Sequence, residues 1–206
     1  MKVYRWIKKY LQGLIKLVFR IHIHGAENEP MEGGYLLVSN HISYIDVLVS
    51  AVALKRQIRF MAKKELFKVP LLGGLIKTLG AFPVDRKGNA VAPIRKSIAL
   101  LESGEVVGMF PQGHRLMKRK FDTTKGEIKG GAAMTCCRAK VPVLPAFIAT
   151  KNDKVIPFRR IDIYIGKPIA YEEFGFEKAG NDEYMRGIGL IFDRIAELAP
   201  DERRSK

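Results

Sequence analysis

Ser39-Asn40-His41-Ile42-Ser43-Tyr44-Ile45-Asp46 stands between two apolar stretches of different character. Before it, Tyr35-Leu36-Leu37-Val38 is a short continuous apolar run, which predicts a buried strand. After it, Val47 to Leu54 can continue as a helix. A strand handing over to a helix is the joint of layered α/β proteins. The same joint carries a His and an Asp five positions apart. Mid-helix, a five-residue step turns a side chain by about 140°, so the two would diverge. In a turn that opens a helix they can meet. The carboxylate then accepts from one imidazole nitrogen, fixes the tautomer and leaves the other nitrogen as a base. The plainer alternative is a His near a helix start and an Asp that complements the first-turn dipole.

With 206 residues the chain is long enough for one domain with a sizeable core. Its 36 basic and 21 acidic residues leave a net charge of +15. Such a balance points to an anionic partner: a lipid surface, a phosphorylated substrate, an acidic carrier protein or nucleic acid. Cys136 and Cys137 are adjacent, so they form no disulfide framework and lack the spacing of a zinc site.

Residues 1–20 sort onto a helical wheel. Val3, Trp6, Ile7, Tyr10, Leu11, Leu14, Leu17 and Val18 share one side, and Lys2, Arg5, Lys9, Lys16 and Arg20 share the other, with no acidic residue among them. The basic face rules out a lipid-exposed span, and no small-residue cleavage site follows. The expectation is an amphipathic helix lying in a membrane interface, its cations at anionic headgroups. The competing expectation is a core-packing helix with a solvated basic face.

Further along, Phe19 to Gly25 alternates as a strand, with His22 and His24 on one side and no third metal ligand nearby. Strands are expected at Ile58 to Ala62, Ala81 to Val84, Val106 to Phe110 and Val141 to Ile148, the last with proline at an edge or a bend. Residues 154–156 and 161–165 suggest a hairpin. Helices are expected at Val91 to Leu101, Lys129 to Arg138 and Asp182 to Leu198. Glu65 to Gly80 is very apolar but broken by Pro70 and Gly73-Gly74. It can be core, a second interfacial element or the wall of an acyl channel. Three loops each follow an apolar strand: Asn40 to Asp46, Asp85-Arg86, and Pro111 to Arg115. Ligands gather at strand ends in such folds. Those loops would bring together a His–Asp pair, arginines able to grip a phosphate with two donors, and a glycine whose amide can approach an anion.

These residues carry a resemblance. Asn-His-x4-Asp at 40–46, then Gly80-Ala81-Phe82-Pro83-Val84-Asp85-Arg86, then Phe110-Pro111-Gln112-Gly113-His114-Arg115, then Val141-Pro142-Val143-Leu144-Pro145, is similar to the four ordered motifs of the glycerolipid acyltransferases. Within that family it looks most like the bacterial lysophosphatidic acid acyltransferases. The resemblance implies a single α/β domain over residues 21–206, a mixed sheet flanked by helices, preceded by the interfacial helix of residues 1–20. It implies His41 as the general base on the acceptor hydroxyl and Asp46 as the residue that orients it. It implies Arg86, Gln112, Gly113 and Arg115 as the grip on the acceptor phosphate. The acyl donor would be acyl-CoA or an acylated acyl carrier protein. No metal or organic cofactor is expected. The implied setting is peripheral, on the cytoplasmic face of the cell membrane, with anionic lipids and a lysolipid acceptor as partners.

Gln112 and His114 depart from the family, which usually has Glu and Thr there. Gln keeps a carbonyl acceptor and gains donors while losing charge, which leaves the acceptor more open than the reaction class. Other readings remain: the same chemistry on glycerol 3-phosphate or another lysolipid, a thioester hydrolase, or a non-catalytic basic membrane-binding module. Nucleic acid is not expected as a partner, because no recognised motif or aromatic-interleaved basic platform is present.

Overall fold

The computed structural model of the chain describes residues 12–84, 91–111 and 130–200. A helix at residues 12–19 (α1) leads into β1 (Ile21–His24), β2 (Tyr35–Ser39), α2 (Asp46–Ala53) and β3 (Ile58–Lys63). Then come α3 (Leu72–Thr78), β4 (Phe82–Val84), α4 (Val91–Glu102), β5 (Val106–Met109) and α5 (Gly131–Ala139). β6 (Val143–Thr150), β7 (Ile161–Ile165) and α6 (Asn181–Glu197) follow. The strands form one seven-stranded sheet in the order β1-β7-β6-β2-β5-β3-β4. β6, β2, β5, β3 and β4 run parallel to one another, and β7 turns antiparallel to β6 with β1 parallel to it. The expected α/β domain with a mixed sheet flanked by helices is therefore what the chain adopts.

Every residue of β2 is buried, which explains its unbroken apolar run. Leu36 and Val38 face a core shared with α5 and α6, including Cys136, Ile188, Ile191 and Phe192. Tyr35 and Leu37 face the opposite core, which holds Val49, Ala53, Leu54, Ile58 and Ile148. Both faces are thus dry, and β2 is clamped in the middle of the sheet. Helix α1 lies against α2: Gln12 donates its side-chain amide to the Val52 carbonyl at 2.9 Å, and Ile15 is buried.

Two expectations need correction. Residues 154–156 are not a strand; β7 pairs instead with β6 and β1. A run of three residues had no partner of its own, whereas β7 had two ready edges. Pro145 is not at a sheet edge either, since β6 has neighbours on both sides. Its carbonyl accepts from Gly166 N–H at 2.9 Å, so its backbone polar positions face β7, where that ladder ends. The missing N–H therefore costs one bond at a margin and none toward β2. His24, on the outer strand, donates from Nε2 to the Asp162 carboxylate at 2.8 Å and stacks on Tyr164, which gives it a structural partner.

At the opposite end of β2 from the His–Asp turn, Glu29 is buried and accepts three hydrogen bonds. They come from the Lys55 amide at 2.6 Å, the Arg56 amide at 2.8 Å and the Tyr35 hydroxyl at 3.0 Å. Arg56 in turn donates to the carbonyls of Pro30, Gly33 and Gly104 and lies over the Tyr35 ring. Burial, followed by the neighbouring Glu29 carboxylate, pushes the Tyr35 phenol above its usual range, so it remains a donor. This knot closes the loops at that edge of the sheet and leaves the other edge for chemistry.

Candidate active site

β2 ends at Ser39, and the next residue continues the sheet with a side chain. The Asn40 carboxamide accepts from Ile148 N–H at 2.7 Å and donates to Ile148 C=O at 2.9 Å. It thus replaces a peptide unit on the β6 ladder while the backbone turns away. Asn40 and Ile148 are both almost wholly buried, so nothing else can satisfy those groups. Asn40→Ala is expected to lower stability by about 2 kcal/mol, because the Ile148 donor and acceptor would both be orphaned. Urea unfolding of the variant measures this, and an unchanged midpoint would refute the assigned role.

The turn released by Asn40 brings the predicted pair together. His41 Nδ1 lies 2.8 Å from Asp46 Oδ2. The same oxygen accepts from the backbone N–H of Ile42 and of Ser43, each at 2.7 Å. The Asp46 side chain is wholly buried, and that of His41 is 14% exposed. Asp46 is also the first residue of α2, where the unpaired amides of a helix start favour negative charge. Asp46 Oδ1 is buried and has no hydrogen-bond partner among the described residues. With Nδ1–H directed at the carboxylate, Nε2 is the basic nitrogen of the ring.

The ring is also held from its flat side. His41 stacks on Phe110 with centroids 4.2 Å apart and planes at 17°, and Phe110 stacks on Phe60 at 5.7 Å and 10°. Phe60 lies over its register partner Gly108, where an added Cβ would come within 2.2 Å of the phenyl ring. Gly108 is therefore the gap into which the stack settles. The role of Phe110 escaped sequence reasoning although the residue belongs to a motif; a hydrophobic residue at a strand end carries no mark of which ring it will touch.

Most backbone amides of the turn after His41 are already engaged and so do not serve as oxyanion donors. Ile42 and Ser43 N–H serve Asp46 Oδ2, Ile45 N–H donates to Ser43 Oγ at 3.3 Å, and Asp46 N–H to the Ser43 carbonyl at 3.2 Å.

Arg86, Gln112, Gly113 and Arg115 lie outside the described residues. The residues that lead to them, Val84 at the end of β4 and Phe110-Pro111 after β5, stand at the same C-terminal edge of the parallel strands as His41. The two cysteines stand away from this chemistry. Both are buried, Cys136 donates to the Val141 carbonyl at 3.0 Å, and burial pushes its thiol up to about 12. A thiolate nucleophile is thereby withheld.

The chain has recognisable relatives among known proteins. The model of a family described as Acyltransferase matches residues 20–149. The chain is similar to the 1-acyl-sn-glycerol-3-phosphate acyltransferase of Bacillus subtilis (strain 168), with 30% identity over 175 residues, 84% of this chain and 85% of that protein. A protein of the same name from Streptococcus pneumoniae (strain ATCC BAA-255 / R6) is 33% identical over 201 residues, 93% of this chain and 71% of the relative. Among solved structures, the 1-acyl-sn-glycerophosphate (LPA) acyltransferase PlsC from Thermotoga maritima matches with a TM-score of 0.72 and 25% identity, covering 100% of this chain and 84% of that one.

Proposed function

This chain belongs to the acyltransferase family and is an O-acyltransferase, and from that premise we propose that it acylates the sn-2 hydroxyl of lysophosphatidic acid to give phosphatidic acid. The observation that carries the reading is the buried Asp46 carboxylate on His41 Nδ1. The names of the similar proteins supply the acceptor.

In the proposed reaction His41 Nε2 takes the proton of the acceptor hydroxyl as the oxygen attacks the thioester carbon. An O–C bond forms and the carbonyl oxygen becomes an oxyanion. Asp46 stabilises the imidazolium through Nδ1–H. The intermediate collapses, the C–S bond breaks, and His41 returns its proton to the leaving thiolate. Atoms and charge balance without a redox step, so the transfer needs no cofactor. Arg86, Gln112, Gly113 and Arg115 would receive the acceptor phosphate, and the thioester would be that of acyl-CoA or of acyl carrier protein.

A lysolipid and its product stay in the bilayer, so the enzyme works at a membrane, on its cytoplasmic face in this reading. Among the described residues no helix is long and apolar enough to cross a membrane. Residues 1–11 of the expected interfacial helix lie outside the described residues; in the described part, Leu14 and Leu17 from its apolar side are exposed, as an interfacial helix requires.

The test is thiol release from an acyl thioester on liposomes, with and without lysophosphatidic acid, with products identified by mass spectrometry. The expected result is release that depends on the acceptor and yields phosphatidic acid. Acceptor-independent release would mean a hydrolase. Turnover with glycerol 3-phosphate alone would overturn the acceptor while keeping the chemistry.

A further inference from the structure

The segment after β3 has an unusual surface. A 3-10 turn at Lys64–Lys68 leads to the bend Val69-Pro70-Leu71 and then α3. Leu71 is 93% exposed, and Val69 and Leu75 are 45% and 40% exposed. Leu71 also has φ 63° and ψ −50°, a backbone conformation that disfavours any residue with a Cβ. The bend is nevertheless tightly built. Gly73 N–H donates to Val69 C=O at 2.8 Å and Leu75 N–H to Leu71 C=O at 3.0 Å. Gly73 packs so close to Phe67 that an added Cβ would lie 2.2 Å from its carbonyl oxygen. A leucine is thus held in a strained backbone and aimed at the surroundings.

Its flanks are basic. Lys63, Lys64, Lys68 and Lys77 are exposed, with Glu65 as the one acidic residue between them in the sequence. Lys63 and Glu65 approach to 3.9 Å, a weak surface pair. Because β3 runs parallel to its neighbour β5, which is parallel to β2, this segment leaves the sheet at the edge where His41 sits. Tyr44, between His41 and Asp46, is itself exposed at that edge.

We propose that the bend at Val69–Leu75 is a membrane-contact element, separate from the N-terminal helix. Leu71, flanked by Val69 and Leu75, enters the acyl boundary of an anionic bilayer while the lysines meet its headgroups. A protein partner fits this surface less well, because lysines are depleted from protein–protein interface cores. The contact turns the C-terminal sheet edge toward the bilayer, so the hydroxyl of a lipid acceptor reaches His41 without leaving the interface. That consequence rests on the proposed lipid acceptor; the contact itself does not.

The experiment uses the full chain with Leu71→Gly and compares partition onto phosphatidylcholine vesicles with and without phosphatidylglycerol. Glycine suits the backbone at position 71 and removes the apolar side chain. Partition onto the anionic vesicles is expected to fall about tenfold, while the thermal midpoint stays the same or rises. A second variant, Leu71→Cys, takes an environment-sensitive dye, since Cys136 and Cys137 are buried. Its emission is expected to shift to the blue only when anionic vesicles are added. Unchanged partition of Leu71→Gly, a lowered midpoint, or a dye that stays aqueous on vesicles would each overturn the proposal. A dye already shielded without vesicles would assign the face to a protein contact and overturn it too. No acyl donor is present in any arm, so failure of the acyl-transfer reading leaves these readouts untouched.

Discussion

Asp46→Asn is expected to lower the single-turnover rate of acyl transfer by about 10³–10⁴-fold. Asp46 Oδ2 accepts from His41 and from the Ile42 and Ser43 amides together. An asparagine has one oxygen and one NH2 group. If its oxygen takes the place of Oδ2, the NH2 group falls where Oδ1 lies buried with no described partner. If it flips, NH2 faces three donors. In the first case the imidazolium loses its counter-charge, and in the second the carboxamide donates to Nδ1 and moves the ring proton to Nε2, the nitrogen that accepts from the substrate in the proposed reaction. The turn itself loosens as well, by about 1–3 kcal/mol for the disturbed buried donors. The rate should therefore be read well below the variant's own midpoint, alongside a circular dichroism spectrum. A rate within tenfold of the native enzyme, in folded protein, would remove Asp46 from the mechanism.

The second large effect is on stability. Glu29→Ala strips the acceptor from the Lys55 and Arg56 amides and from the Tyr35 hydroxyl. Tyr35 is fully buried, so its hydroxyl has no solvent to turn to. Arg56, whose guanidinium bridges the loops around Gly33 and Gly104, would also lose its nearby negative charge. Orphaned buried donors cost about 1–3 kcal/mol each, with partial relaxation expected. The expected total is about 3–5 kcal/mol, read as the loss of urea midpoint at unchanged slope. Because the knot lies at the far end of β2 from His41, turnover of the remaining folded fraction should be nearly native. A variant as stable as the native protein would show that the knot closes through Arg56 alone.

Much of the scaffold was readable where a local pattern agreed with its final surroundings. Tyr35 to Val38 announced a strand dry on both faces, and the helices near 91–101, 131–139 and 181–197 carried their own periodicity. His41 and Asp46 were readable because a strand-to-helix turn is the one local geometry in which that spacing closes. The misreadings share a cause: they depended on partners far away in the chain. The strand at 161–165 was assigned a neighbour at 154–156 because that neighbour was close in sequence, yet its real partners are β6 and β1. Pro145 suggested an edge or a bend because the rule concerns the lost N–H, and only the register shows that this position points at a ladder's end. Asn40 sat inside a quoted motif, but its service to Ile148 needs β6 beside β2. The engagement of the Ile42 and Ser43 amides by Asp46 likewise shows only once the turn is closed.

The same Asn40 bridge has a temporal meaning. Asn40 and Ile148 are 108 residues apart, and Phe110, which backs the His41 ring, arrives between them. A growing chain that has emerged as far as α2 already contains both His41 and Asp46. It lacks the strand that fixes the turn and the ring that fixes the imidazole. Such long-range pairings close late and slowly. The support of the His41–Asp46 pair thus waits on residues far along the chain, and a half-made chain carries both side chains before anything holds them in place.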